Sequence, residues 1–434
     1  MTPQSTFMVL APLADGQEES LRALLASMNL RSGVVNPENE LVPFGHFERL
    51  HFARFVIVEA PTGSDIAVYD LPPSKWPTSL AFLGDCDGPS DRFLADLVAR
   101  AGGGLRRIFA CCRDFSADGD LLAWMKRHEH LPSASYVNWI GRTVQQVREE
   151  QALHRALAGH LQNGAADAPE REASVVLYDR LVRFVDGERQ AGRLTLSPEA
   201  PTPVDWRLRD AAHKVGVPLA LLLLAPFLLV ASPLLAYQLR ARETTDPGFH
   251  PRPDRDHVAR LAALEDQHVT NQFTVFGDVK PGRFRLWTMI FLLWLLNYST
   301  RHIYNRGYLT RVQTIHFARW VFVDERKRLL FASNYDGSVE SYMDDFINKV
   351  AWGINLVFSN GVGYPRTDWL VKRGARDEQK YKRTLRRHQL PTDVWYNAYP
   401  GLTAIDLERN TRIREGIERR AMTDREAREW LSLL

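Results

Sequence analysis

The chain has 434 residues, long enough for two or three domains, and its 45% hydrophobic content belongs to a folded globular protein rather than a disordered one. Its 55 basic and 52 acidic side chains nearly cancel to a net +3, which removes the usual electrostatic footprint of a nucleic-acid binder, so no nucleic-acid partner is expected. Cys86, Cys111 and Cys112 form no CxxC pair and leave one thiol over, which argues against a disulfide framework and for a reducing compartment.

The N-terminus has no basic stretch leading into an apolar one, so no cleaved secretory signal is expected. A short β-like run at 6–12 precedes a helical stretch at 17–28. Alternating residues at 50–58 and a second β-like run at 79–84 follow, then a helix at 90–100 and a final apolar run, LRRIFACC, at 105–112. That order is βαββαβ, the ferredoxin-like plan.

The plan recurs. FMVLAPLADG falls opposite FTVFGDVKPG without a gap, matching Phe7, Val9 and Gly16 to Phe273, Val275 and Gly282. The tetrapeptide HFAR then appears in both halves, at His51 and at His316. GDCDGPSDRFLADLV matches SNYDGSVESYMDDFI, IFACC falls on VFSNG, and HLPSASYVNWIG pairs with QLPTDVWYNAYPG. Several matches in one order mark an internal duplication. The expected divisions are a first unit with a helical extension at 1–160, a linker or arm at 161–205, an apolar segment at 206–245, and a second unit with its own extension at 246–434.

The apolar segment centres on residues 215–237, which carry no charge and are long enough to cross a bilayer. Pro218, Pro226 and Pro233 each remove a backbone donor, and basic residues flank both ends, so neither a straight span nor an orientation follows. A single crossing would separate two units whose sheets should pair, so insertion from one side is the favoured reading. The second apolar stretch, 286–300, is by the repeat the first helix of the second unit. It is apolar all round and must be covered by protein or lipid, either as a core helix or as a platform for a lipophilic ligand. The basic run at 376–391 is a solvated helix face or a contact for anionic headgroups.

Within HFAR, strand alternation sets His51 and His316 on the face opposite Arg54 and Arg319. An arginine in an otherwise apolar row needs a buried partner, expected on a covering helix. The histidines would be held by hydrogen bonds, or one would serve as a haem ligand or proton shuttle. Asp87 and Asp336 each precede a glycine and a helix, with Ser90 and Ser338 placed as N-caps. No cluster has the spacing of a metal site, a P-loop or a dinucleotide fingerprint, so no metal is expected.

Two ferredoxin-like units joined in one chain resemble the dimeric α/β barrel superfamily, which implies an α+β fold closed by sheet-to-sheet pairing within the chain. GDCDG also resembles the G-x-x-D-G motif of dye-decolorising haem peroxidases, although the second copy begins with Ser333 in place of the glycine. The HFAR and Asn-x-Asp-Gly stretches further resemble a bacterial membrane-associated family to which no activity attaches. Together these imply a membrane-associated, peroxidase-like oxidoreductase at the cytoplasmic face of a bacterial inner membrane, with the lipid bilayer and a lipophilic small molecule as partners and haem as a candidate cofactor. The candidate catalytic residues are His316, Asp336, Arg319 and Asn360, with His51, Asp87 and Arg54 as counterparts. Trp320, Tyr335 and Tyr364 join His316 around one expected pocket beside the apolar helix. The alternative is a non-catalytic binder or scaffold at the membrane surface.

Overall fold

The structure, a computed structural model, describes residues 1–164 and 173–434. Residues 165–172, part of the expected linker, lie outside the described residues. The first half contributes β1 (Gln4–Pro12), α1 (Glu18–Ala26), β2 (Leu50–Val58), β3 (Ser79–Asp87), α2 (Ser90–Phe109), α3 (Leu121–Arg127), β4 (Ala134–Val137) and α4 (Val144–Gly164). Then come α5 (Ser174–Gln190), α6 (Val204–Thr245) and α7 (Arg255–Ala262). The second half repeats the pattern with β5 (Thr270–Asp278), α8 (Arg283–His302), β6 (Ile315–Val323), β7 (Arg328–Asp336), α9 (Val339–Phe358), α10 (Glu378–His388), β8 (Val394–Asn397), α11 (Ala404–Arg419) and α12 (Asp424–Leu431).

The protein is α+β, with two four-stranded antiparallel sheets in the orders β1-β3-β2-β8 and β4-β6-β7-β5. The last strand of each half is therefore exchanged: β8 pairs with β2 and β4 pairs with β6. Before crossing, each exchanged segment docks on the open edge of its own half. His130 N donates to Met8 O (2.8 Å) and Leu390 N to Thr274 O (2.8 Å), so both seams between the sheets are hydrogen-bonded. Met8, Leu10, Val56 and Val58 of one sheet meet Phe276, Val321, Val323 and Leu330 of the other in an apolar layer between them. The outer faces are covered by α1 and α2 on one side and by α8 and α9 on the other.

One element differs from the expected plan. The final apolar run at 105–112 was expected as a strand, as was its counterpart in the second half, but both lie largely in the second halves of α2 and α9. Leu97, Ala101, Leu105 and Ile108 are buried at helical spacing, and a five-residue apolar run inside such a series cannot be told from a strand by periodicity alone. Both helices break at matched positions, Ala101 (φ −123°) and Val350 (φ −143°), which makes each look like two elements. Cys111 and Cys112 consequently sit in the turn after α2, buried and unpaired, rather than on a strand. Ser338 caps α9 as expected, accepting from Ser341 N, whereas Pro89 rather than Ser90 holds the cap position of α2.

The expected linker region carries α5, which packs Tyr178, Leu181 and Val185 against α4, α11 and α12. Helix α6 is the one helix among the described residues that is long and apolar enough to cross a membrane, and none of its most apolar 18-residue stretch is buried. Phe227, Leu229 and Val230 are 72%, 72% and 86% exposed. Both of its ends are fastened to the folded body. At the start, Asp210 accepts from Arg301 (2.7 Å) and the rings of His213 and His302 meet at 2.7 Å, all against the end of α8. At the finish, Glu243 accepts from Thr367 Oγ1 and the backbone of Trp369 and Leu370, and Asp246 accepts from Lys280 and Arg285, the latter in the first turn of α8.

Candidate functional site

The candidate residues divide between two places. The first is the polar end of the junction between the sheets. Register shifts fall at the histidine in both HFAR strands, between Leu50 and Phe52 and between Ile315 and Phe317. A bulge inserts one residue and breaks the alternation of faces, so the parity expected to separate histidine from arginine does not hold there. His51 Nε2 donates to Asp87 Oδ1 (2.9 Å) and His316 Nε2 to Asp336 Oδ1 (2.7 Å), since an ionised carboxylate only accepts. The other oxygen of each aspartate accepts from the first turn of the helix that follows the exchanged strand, Val144 N at 2.9 Å and Ala404 N at 2.7 Å. Each His-Asp pair thus ties a bulged strand to a helix start. His51 Nδ1 also accepts from Tyr399, whose phenol burial pushes well above its ordinary range and so keeps protonated.

The arginines cross the same junction. Arg319 donates to Phe7 O (2.8 Å) and to Asp85 Oδ1. Arg54 donates to Phe273 O (3.0 Å), Thr274 Oγ1 (3.0 Å), Ser333 O (2.9 Å) and Asn334 Oδ1. Their partners therefore come from strands of the opposite half, which corrects the expectation of a partner on a covering helix. Burial, and then the like charge of Arg319, lowers the Arg54 guanidinium to about 9. The space beside His51, His316, Tyr399 and Arg142 amounts to about 20 Å³, the size of a water site. A macrocycle does not fit there, and the Nε2 atom of each histidine is already engaged. Haem is therefore not accommodated at His316.

The second place lies on the outer face of the second sheet, under α8 and α9. A cavity of about 300 Å³ is walled by Leu292 and Leu296 of α8, Trp320 and Phe331 of the sheet, and Val350 and Ile354 of α9. Among the described residues no charged side chain, imidazole or thiol lines it, so these offer a porphyrin no such axial ligand. A side chamber of about 60 Å³ shares Val275, Phe331, Phe358 and Leu385 with it and is lined further by Asp278, Tyr364, Thr384 and His388.

Of the residues expected around one pocket, Trp320 lines the large cavity and Tyr364 the side chamber, where its hydroxyl donates to Asn355 Oδ1 (2.8 Å). Tyr335 lines neither; it stacks on Tyr342 at 4.0 Å. His316, Asp336 and Arg319 belong to the sheet junction. Asn360 sits apart again, accepting from Arg285 (3.3 Å) beside the Lys280 and Asp246 pair, where burial lowers the Lys280 amine to about 8. Sequence reasoning missed His388, Lys280 and the cavity walls supplied by α9. The available signal for His388 was Gly277, where the first copy has Ala11: a Cβ at Gly277 would lie 2.6 Å from the His388 ring.

The fold and sites define an α+β protein with an exposed apolar helix and an apolar cavity between the second sheet, α8 and α9. Comparison with known proteins finds no matching family model, no matching curated protein and no matching solved structure.

Proposed function

We propose that the protein is a membrane-associated binder of a lipophilic small molecule, built on two ferredoxin-like units closed into a dimeric α/β barrel within one chain. The cavity carries this reading: about 300 Å³ of space walled by apolar and aromatic side chains, directly behind the helix that α6 runs beside. Soluble domains do not leave a run such as Phe227 to Val230 in water without reason, and a bilayer is the covering that suits its chemistry. Because both ends of α6 are held by the same body, the helix enters the membrane from one side and does not carry the chain across. Trp287 of α8, 62% exposed, suits an interfacial aromatic in this reading. In this reading the body lies at the cytoplasmic face of an inner membrane, and the three free cysteines support a reducing compartment.

The oxidoreductase reading draws no comparable support, since its histidines and aspartates hold the junction together. A surface scaffold would leave the cavity without a role. The test is binding of the neutral fluorophore N-phenyl-1-naphthylamine to the purified full chain. A Cβ at Gly353, in the cavity wall, would meet nothing within 4 Å, so Gly353→Phe fills the space with little strain. Saturable binding that this substitution abolishes is the expected result; binding unchanged by it contradicts the proposal.

A further inference from the structure

His388 lines the side chamber with 5% of its surface exposed. Its Nδ1 donates to Thr384 O at 2.9 Å, which fixes the proton on that nitrogen and leaves Nε2 as a lone pair. Among the described residues Nε2 has no hydrogen-bond partner. Gly277 and Gly363 pack against the ring, and a Cβ at either would come within 2.6 Å and 3.3 Å of it, so the backbone is pared away to admit an imidazole here. The neighbouring charges are satisfied by one another. Asp278 accepts from Ser74 (2.8 Å) and Arg328 (3.0 Å), and Arg387 donates to Asp65 (2.6 Å). Burial also lowers the His388 pKa, which keeps the ring neutral at pH 7. Val279, Met289 and Leu329 supply apolar wall to the chamber, and Asp278, Thr384 and Tyr364 line it beside His388.

We infer that the ligand is a lipophilic alcohol or phenol whose hydroxyl donates to His388 Nε2 in the side chamber while its apolar body fills the larger cavity. This rests on the proposed lipophile-binding function and narrows it. Nε2 faces the chamber with its lone pair free, so a hydroxyl donor gains a hydrogen bond there that a ligand lacking the donor does not make. The absence of charged lining in the large cavity disfavours a fatty acid or a phospholipid headgroup.

The test displaces bound N-phenyl-1-naphthylamine from the full chain with 1-dodecanol, with its methyl ether, which keeps the oxygen but lacks the proton, and with dodecane, each corrected for partition into detergent. The alcohol should bind on the order of five-fold more tightly than the ether, the size of one net hydrogen bond. His388→Phe should erase that preference while retaining the fluorophore. Equal affinities for alcohol and ether in the unaltered protein overturn the inference and leave lipophile binding standing, without reliance on any variant. A preference that survives His388→Phe overturns it too. Failure of the fluorophore itself to bind removes the proposed function and this inference together.

Discussion

Arg319 reaches across the sheet junction to the carboxylate of Asp85, whereas Arg54, its counterpart in the other half, finds Asn334 in the matching place. The duplication therefore closes on an asymmetric pair: one crossing is ionic and the other is made with an amide, a hydroxyl and backbone carbonyls.

That asymmetry predicts unequal costs. Arg319→Met leaves the Asp85 carboxylate, 2% exposed, with the Asn334 amide but without its ion-pair partner, and should destabilise the fold by about 3–5 kcal/mol, the range for breaking a buried pair from one side. Arg54→Met leaves only neutral acceptors and should cost less. Urea denaturation of the two variants checks this, and an equal or reversed order contradicts it.

The His-Asp pairs are read as joints rather than as catalytic groups. Asp336→Ala removes the partners of His316, Thr270 and Ala404 N together, and should cost roughly 2–4 kcal/mol through unsatisfied buried groups. Fluorophore affinity of the folded fraction should not change, because Asp336 lines neither cavity chamber. Loss of binding without loss of stability would return Asp336 to the site.

Acid should weaken the fold. Burial holds His130, His268 and His388 below the ordinary value of 6.5, so the unfolded chain takes up protons first as pH falls. Their contribution is complete above about 6.5 and declines below it. Asp393, pushed up to about 6 by burial, works in the opposite direction below that value. The melting temperature should drop between pH 7.5 and pH 6; a rise over that interval would contradict the assignment.

Membrane attachment should depend on the exposed middle of α6. Replacing Phe227, Leu229 and Val230 with serine should abolish co-flotation with phospholipid vesicles while leaving the melting temperature in detergent nearly unchanged, because these side chains are largely exposed. Loss of folding instead would show that α6 is part of the core.

Much of this architecture was legible in the residues. Matching Phe7 to Phe273 and His51 to His316 located the two three-stranded frameworks and identified α8 as a helix of the second half. The exchange of β4 and β8 was not legible, because four-residue strands carry too little pattern to name a partner. LRRIFACC misled because the break at Ala101 divides one helix into what reads as a helix and a strand. The bulges at His51 and His316 were hidden for a related reason: alternation continues on either side of an inserted residue. The cavity depends on how α8, α9 and the sheet fail to fill the space between them, and no one-dimensional pattern records such a volume.

The central claim is that a lipophile lodges behind α8 and not merely on the exposed surface of α6. Photolabelling of the vesicle-bound full chain with a diazirine-bearing dodecane, followed by peptide mapping, tests it most directly. Label at cavity residues such as Leu296 and Ile354, competed away by unlabelled dodecane, is the predicted result. Label confined to Phe227 and its neighbours on α6 would contradict it.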